Sequence, residues 1–297
     1  MKVAVTGANG FLGHHILAGL KADHDMVALQ RRVSPDGPAD IEVRETDYGT
    51  ASLSDVLKDC DAVIHLAAQR MHGGNEAAVL ENAALDHRLF SAAHDCGVRH
   101  VIFASTRGLY GTLPAPWHET DPIAPDTTYA MVKGQSELSA DFFTRRKGLP
   151  VTALRLAQVF GLGEYDRSVT TVFLRNGFRG QALKLSATGL RREYIYVKDV
   201  VGAMRAVLER GTPGVFNLGS GTAITIEEMA AGICAAFGRP GNYSIAEGAA
   251  RLDEHSLMDI SHLTETFGWT PSYSLEEAIR DIAATLQVPE MVSRYGF

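Results

Sequence analysis

The chain alternates between two periods of apolar and polar positions. Short runs rich in β-branched residues fall at 2–6, 26–30, 41–46, 62–67, 100–105 and 151–156. Between them, segments 11–21, 53–58, 76–96 and 128–147 repeat apolar residues every three or four positions, the period of an amphipathic helix. Runs apolar at nearly every position are strands covered on both faces, and their alternation with helices predicts a parallel sheet with helices on each side. The expected class is α/β, with a doubly wound parallel sheet.

Beyond Gly161 the pattern is mixed. A helix is expected near 170–180, short strands near Leu183 and Tyr194, and helices near Val200 and Ile226. These predict a smaller α/β lobe. Residues 215–218 suit a strand returning to the main sheet, so the lobe is expected to be partly discontinuous: 1–161 plus a return strand near 214–220 form the first domain, and 162–297 form mainly the lobe. Pro114, Pro116, Pro122 and Pro125 exclude helix and central strand from 113–126 and predict an ordered loop beside the site.

Composition narrows the class. At 297 residues the chain has length for about two domain-sized cores. With 45% apolar and 21% charged residues, neither disorder nor a collagen-like repeat fits. Lys and Arg number 28 against 35 Asp and Glu, a formal charge of −7 without a basic run, so no nucleic-acid partner is expected. No apolar stretch approaches the roughly 18 residues of a membrane span. The apolar run at 3–5 is too short for a secretory leader, which points to the cytoplasm and no membrane association. Cys60, Cys96 and Cys234 are widely spaced and read as buried small hydrophobes, and the scattered histidines form no ligand cluster. No metal is expected.

The chemistry begins at Thr6-Gly7-Ala8-Asn9-Gly10-Phe11-Leu12-Gly13, between a strand and a helix. Gly7 permits a tight turn, Gly10 lets backbone approach a pyrophosphate, and Gly13 allows close helix packing, while the helix N-terminus offers free N–H groups. This strand-loop-helix context predicts dinucleotide binding. At the end of the second strand, where an NAD site generally carries Asp or Glu, stand Gln30-Arg31-Arg32. Nothing there repels a 2′-phosphate, and a guanidinium can pair with one, so NADP is expected, with NAD as the alternative. Asp47, after the third strand, is a candidate acceptor for the adenine amine.

Tyr129 and Lys133 stand four apart in a helical segment and so share one face. A cation one turn away stabilises a phenolate, which makes Tyr129 a usable general acid and base. Tyr194 and Lys198 have the same spacing, but 194–197 alternates like a strand, where such positions lie about 13 Å apart.

Taken together, these residues resemble the extended short-chain dehydrogenase/reductase family, in its NAD(P)-dependent nucleotide-sugar epimerase/dehydratase branch. The resemblance extends over nearly the whole chain: His65-Leu66-Ala67-Ala68, Asn82, Ser105-Thr106 before Leu109-Tyr110-Gly111, Leu154-Arg155 before Val159-Phe160-Gly161, the run from Arg192 to Val200, Asn217-Leu218-Gly219-Ser220-Gly221 and Phe267-Gly268-Trp269-Thr270-Pro271. It implies that Leu66, Ala67, Ala68 and Asn82 join Gly7, Asn9, Gly10, Phe11, Leu12, Gly13, Arg31 and Arg32 at the cofactor. It also implies a catalytic Thr106 that holds the substrate oxygen while Tyr129 exchanges a proton, and a Lys133 that bridges the nicotinamide ribose. Gln158, Arg192 and Arg251 are the implied substrate contacts, and a homodimer joined through 76–96 and 128–147 is the implied assembly.

Two departures matter. Sugar 4,6-dehydratases of the family carry Asp-Glu after the catalytic Thr, where this chain has Arg107-Gly108, and Gln158 replaces a frequent Asn beside the diphosphate. Dehydration is therefore not expected. The expected activity is NADPH-dependent reduction of a 4-keto group on a nucleoside-diphosphate sugar. The rivals are a C4-type epimerase with retained NAD, a reductase of a non-nucleotide carbonyl, and a cofactor-sensing protein without turnover.

Overall fold

The computed structural model describes residues 1–32, 40–69 and 76–297. The first half alternates strand and helix: β1 (Lys2–Thr6), α1 (Phe11–Leu20), β2 (Asp25–Gln30), β3 (Glu42–Glu45), α2 (Thr50–Leu57), β4 (Ala62–His65), α3 (Glu76–Asp95), β5 (His100–Thr106), α4 (Thr128–Phe142) and β6 (Val151–Leu156). After β7 (Gln158–Phe160) come α5 (Val169–Phe178), β8 (Leu183–Tyr196), α6 (Val197–Arg210), β9 (Gly214–Leu218), β10 (Ala223–Thr225), α7 (Ile226–Ala236) and β11 (Tyr243–Ser256). Three helices follow, α8 (Ser261–Phe267), α9 (Leu275–Thr285) and α10 (Pro289–Tyr295).

Seven strands pair in the order β3-β2-β1-β4-β5-β6-β9, all parallel. The fold is thus an α/β doubly wound sheet. Alternate residues of β1 feed opposite cores: Val3 and Val5 pack with α1, α6 and α8, and Ala4 packs with α2, α3 and α4. Covering on both faces is why the strands read as continuous apolar runs. The strand order reverses at β1 and β4, and the crevice at the carboxyl ends of strands flanking such a reversal is where ligands bind in open α/β sheets.

The lobe holds a second sheet in which β8 pairs with β10, β11 and β7. Its core is Phe173, Leu174, Leu183, Leu185, Met229, Ile233, Ile279 and Ile282 with their neighbours. The chain re-enters the main sheet at β9, which pairs with β6 from Thr152 and Gly214 to Leu156 and Leu218, and then goes back to the lobe. Where two short strands were expected near Leu183 and Tyr194, one 14-residue strand runs through. Its half-exposed middle carries Gly189 at φ +79° and its register against β11 shifts twice, which interrupts the alternation a sequence reading needs. The Pro-rich loop is ordered. Trp117 bridges to Met258 and stacks on Tyr110 at 5.1 Å between ring centroids. Cys60 and Cys234 are buried, whereas Cys96 is only partly so.

Candidate active site

A cavity of about 710 Å³ opens at the reversal point. Its floor is the loop from Gly7 to Gly13 with Leu66, Ala67 and Ala68, and its far wall is Tyr129 and Lys133. Gly7 turns at φ +66°, and a Cβ there would lie 2.9 Å from the Ala67 nitrogen. A Cβ on Gly13 would lie 2.4 Å from the Gly7 carbonyl oxygen, so only glycine lets α1 start this close to the loop. Gly10 caps α1 without a side-chain hydrogen bond, which leaves the first-turn N–H groups to the cavity. A dinucleotide pyrophosphate fits this cradle by charge and by backbone proximity.

Towards the adenosine end, Gln30 is buried and no carboxylate closes β2. Arg31 lines the cavity, its guanidinium 5.7 Å from the centre of the Tyr48 ring. Arg32, which follows it beyond the end of β2 and is exposed, lies outside the lining. A side pocket of about 280 Å³ adjoins here, lined by Arg31, Asp47, Tyr48 and Asn82 among others. Asp47 spends one carboxylate oxygen on the Gly49 N–H at 2.7 Å, which shapes the turn into α2. Asn82 is occupied in both senses: its oxygen accepts from the Gln69 N–H at 2.7 Å and its amide donates to the Gln69 carbonyl at 2.8 Å. It therefore clamps the segment that follows Ala68.

Tyr129 sits in the first turn of α4. Thr127 caps that turn by accepting from the Ala130 N–H at 3.2 Å, and Thr128 donates to Glu76 at the start of α3. One turn later Lys133 is only 2% exposed. Its Nζ lies 4.2 Å from the centre of the Phe103 ring and 3.7 Å from Asp86 Oδ2. Thr106 ends β5 next to Ser105, which lines the cavity. Its Oγ1 accepts from the Gly108 N–H at 3.1 Å, so the hydroxyl proton is left to donate elsewhere. Behind β5 a buried network fixes the strand end. Ser105 donates to Glu137, which forms a two-pronged pair with Arg155, and Arg155 donates to the Tyr110 hydroxyl at 2.9 Å. Tyr110 in turn donates to Asn217 at 2.7 Å, joining β9 to the network.

The lobe contributes a pocket of about 210 Å³ lined by Phe173, Leu185, Arg192, Tyr194 and Ile226 among others. Arg192 is held by Glu254 through two hydrogen bonds of 2.9 and 2.6 Å. Arg251 is exposed and outside this lining, and Gln158 donates to Glu164 at 3.4 Å. Arg107 is half-buried, and burial followed by the charge of Arg192 pushes its guanidinium below the usual range. The Tyr194/Lys198 spacing carries no pair, since Lys198 Nζ lies 2.7 Å from Asp281.

The profile of the NAD dependent epimerase/dehydratase family matches residues 3–219, the span from β1 to the end of β9. The chain belongs to this family. Among its relatives is a UDP-glucose 4-epimerase of Mycolicibacterium smegmatis, 29% identical, with 94% of this chain and 96% of that one covered. A dTDP-glucose 4,6-dehydratase of Streptomyces antibioticus is 27% identical, with 94% and 90% covered. Among solved structures, a UDP-N-acetylglucosamine 4-epimerase from Bacillus cereus superposes with a TM-score of 0.88 at 31% identity, covering 97% and 96% of the two chains.

The chain is thus an enzyme of the extended short-chain dehydrogenase/reductase type, with an NAD(P) site in a Rossmann sheet. Among the described residues no helix is long and apolar enough to cross a membrane. Three polar residues that shape the site escaped the sequence reading: Asp86, Glu137 and Glu254. Asp86 had a readable signal. It stands on the apolar stripe of α3 between Val79, Leu89 and Phe90, and a carboxylate on such a face needs a partner.

Proposed function

We propose that this enzyme exchanges a hydride and a proton at C4 of a nucleoside-diphosphate sugar, and that its working direction is reduction of a 4-keto group by NADPH. The observation that carries the direction is Arg31, which lines the adenosine end of the cavity just after β2, a strand that closes on Gln30 rather than on a carboxylate. A guanidinium there favours a 2′-phosphate through a charge-assisted pair. The bound cofactor supplies the hydride. Thr106 orients the substrate oxygen with the hydroxyl proton that its cap leaves free, Tyr129 delivers the proton to that oxygen, and the Lys133 ammonium offsets the charge left on the phenol. Arg107 stands where a dehydratase would need a carboxylic acid, so elimination of a hydroxyl lacks its acid.

The purified enzyme should oxidise NADPH in the presence of a nucleoside-diphosphate 4-keto-6-deoxyhexose. Arg31→Glu should lower the preference for NADPH over NADH by about tenfold or more, the value of one charge-assisted pair. The similarity to UDP-sugar 4-epimerases favours a second reading, in which one carbon is oxidised and re-reduced in place. Tightly retained NAD, together with interconversion of C4 epimers and no net NADPH consumption, would establish that reading and overturn the reductase.

We also propose a homodimer, working in the cytoplasm. Met131, Leu138 and Phe142 are 40%, 68% and 47% exposed and stand seven and four residues apart, one stripe along α4, with exposed Leu80 on neighbouring α3. Burying that stripe against a second copy removes apolar surface from water. All three cysteines are free thiols, as a reducing compartment requires. Leu138→Lys should reduce the mass measured by sedimentation equilibrium from that of a dimer to that of one chain. An unchanged mass would remove α4 from the interface.

A further inference from the structure

Beneath the cavity wall lies a buried polar chain that the reaction as described does not use. Thr6, the last residue before the glycine loop, accepts at its hydroxyl oxygen from the Leu66 N–H at 3.0 Å and the Ala67 N–H at 3.1 Å. Its own proton is therefore directed to His65 Nδ1, 2.7 Å away. That fixes the imidazole tautomer: the other proton is on Nε2, which donates to Asp86 Oδ1 at 2.8 Å. Asp86 and His65 are wholly buried. The second carboxylate oxygen, Oδ2, has no hydrogen-bond partner among the described residues and lies 3.7 Å from Lys133 Nζ.

We propose that Asp86 is the positioning residue for Lys133: its carboxylate keeps a buried ammonium charged at the cavity wall, and the His65–Thr6 chain locks that carboxylate to the start of the cofactor loop. An ammonium that is almost fully buried loses its hydration and gives up its proton unless an anion stands beside it. The Phe103 ring under Nζ contributes attraction but no countercharge. The groups facing Asp86 are Lys133 and the Ser136 hydroxyl from α4 and His65 from β4, so Lys133 and Asp86 are the charged partners. Burial pushes the Asp86 carboxyl up, but Lys133 and the His65 N–H outweigh it, and the group sits below its ordinary range as an anion. The gap of 3.7 Å is a charge contact rather than a hydrogen bond, which leaves the ammonium protons available to groups in the cavity.

This inference rests on the role given to Tyr129 and Lys133 above, and its test reads the phenol directly rather than turnover. The absorbance of the Tyr129 phenolate is taken as the difference between a protein and its Tyr129→Phe counterpart, titrated with NADP bound. In Asp86→Asn, which keeps an acceptor for His65, Lys133 should lose its proton and the phenolate should appear at a pH higher by on the order of one unit or more. A shift to lower pH, or no shift, would overturn the proposal: the first means that Asp86 only repels the phenolate, the second that it only packs. Should Asp86→Asn fail to fold, stability decides. Lys133→Met strands a buried anion, so adding Asp86→Asn to it should raise Tm, and a further fall would overturn the pairing. An upward shift without turnover on any nucleotide sugar would leave Asp86 in its role and refute the proposed substrate instead.

Discussion

Tyr129→Phe should lower turnover by about 10²- to 10⁴-fold with little change in Tm or in cofactor affinity. The ring stays on the cavity wall, and what disappears is the hydroxyl to which the proposed mechanism assigns the proton transfer. The fold does not lean on it. The first turn of α4 is held by the Thr127 cap and by the bond from Thr128 to Glu76, and the backbone of residue 129 continues the helix in either form. The separation between activity and stability is the informative part. Loss of both together would make Tyr129 a structural residue, and retained turnover would move the proton transfer elsewhere. Single-turnover hydride transfer at saturating cofactor and substrate reads the effect without confusion from product release.

How much of this was legible beforehand follows from where burial falls. Strands β1, β2, β4, β5 and β6 lie between two helical layers, so nearly every residue is apolar and the runs stand out. The glycine loop was legible for a related reason, since a side chain at Gly7 or Gly13 meets backbone rather than something that can move. β11 was not legible. Most of its 14 residues are exposed, with apolar and polar ones mixed among them, and its partner β8 supplies the pairing from some sixty positions away. Arg31 and Arg32 looked equivalent as a pair, and only the folded chain separates the one that lines the cavity from the one that does not.

Ion pairs were the hardest part to read. Glu254 meets Arg192 from another strand and Asp86 meets Lys133 from another helix, and although the apolar stripe of α3 shows that Asp86 needs a partner, no local pattern names which residue that partner is. Thr106 shows the opposite case, where two roles inferred from one residue share its atoms: the oxygen accepts from the turn and the proton remains for a substrate.

The stability of the lobe should depend on pH through Glu193. This wholly buried carboxyl accepts from the Gly221 N–H at 2.7 Å and the Met258 N–H at 3.0 Å, and so ties β8 to the loop after β9 and to the segment after β11. Burial pushes it up to about 7, against the opposing pull of those backbone donors. The folded state then holds a proton that the unfolded chain, with a carboxyl near 4.5, has already released. Stability from this group is therefore complete below pH 4.5 and is lost as pH rises through 7. Its size is on the order of 3 kcal/mol, or roughly 6 °C in Tm for a chain of this length. Glu193→Gln carries no such proton, and with one acceptor fewer it should be less stable than the parent in acid. The Tm difference between parent and variant should shrink by that amount between pH 4.5 and 8, measured by thermal denaturation in buffers of constant ionic strength. A difference that stays constant would mean the carboxylate is ionised throughout, with the backbone donors outweighing its burial. One that shrinks would place the ionisation of this buried carboxyl inside the neutral range, beside Arg192, which lines the pocket of the lobe.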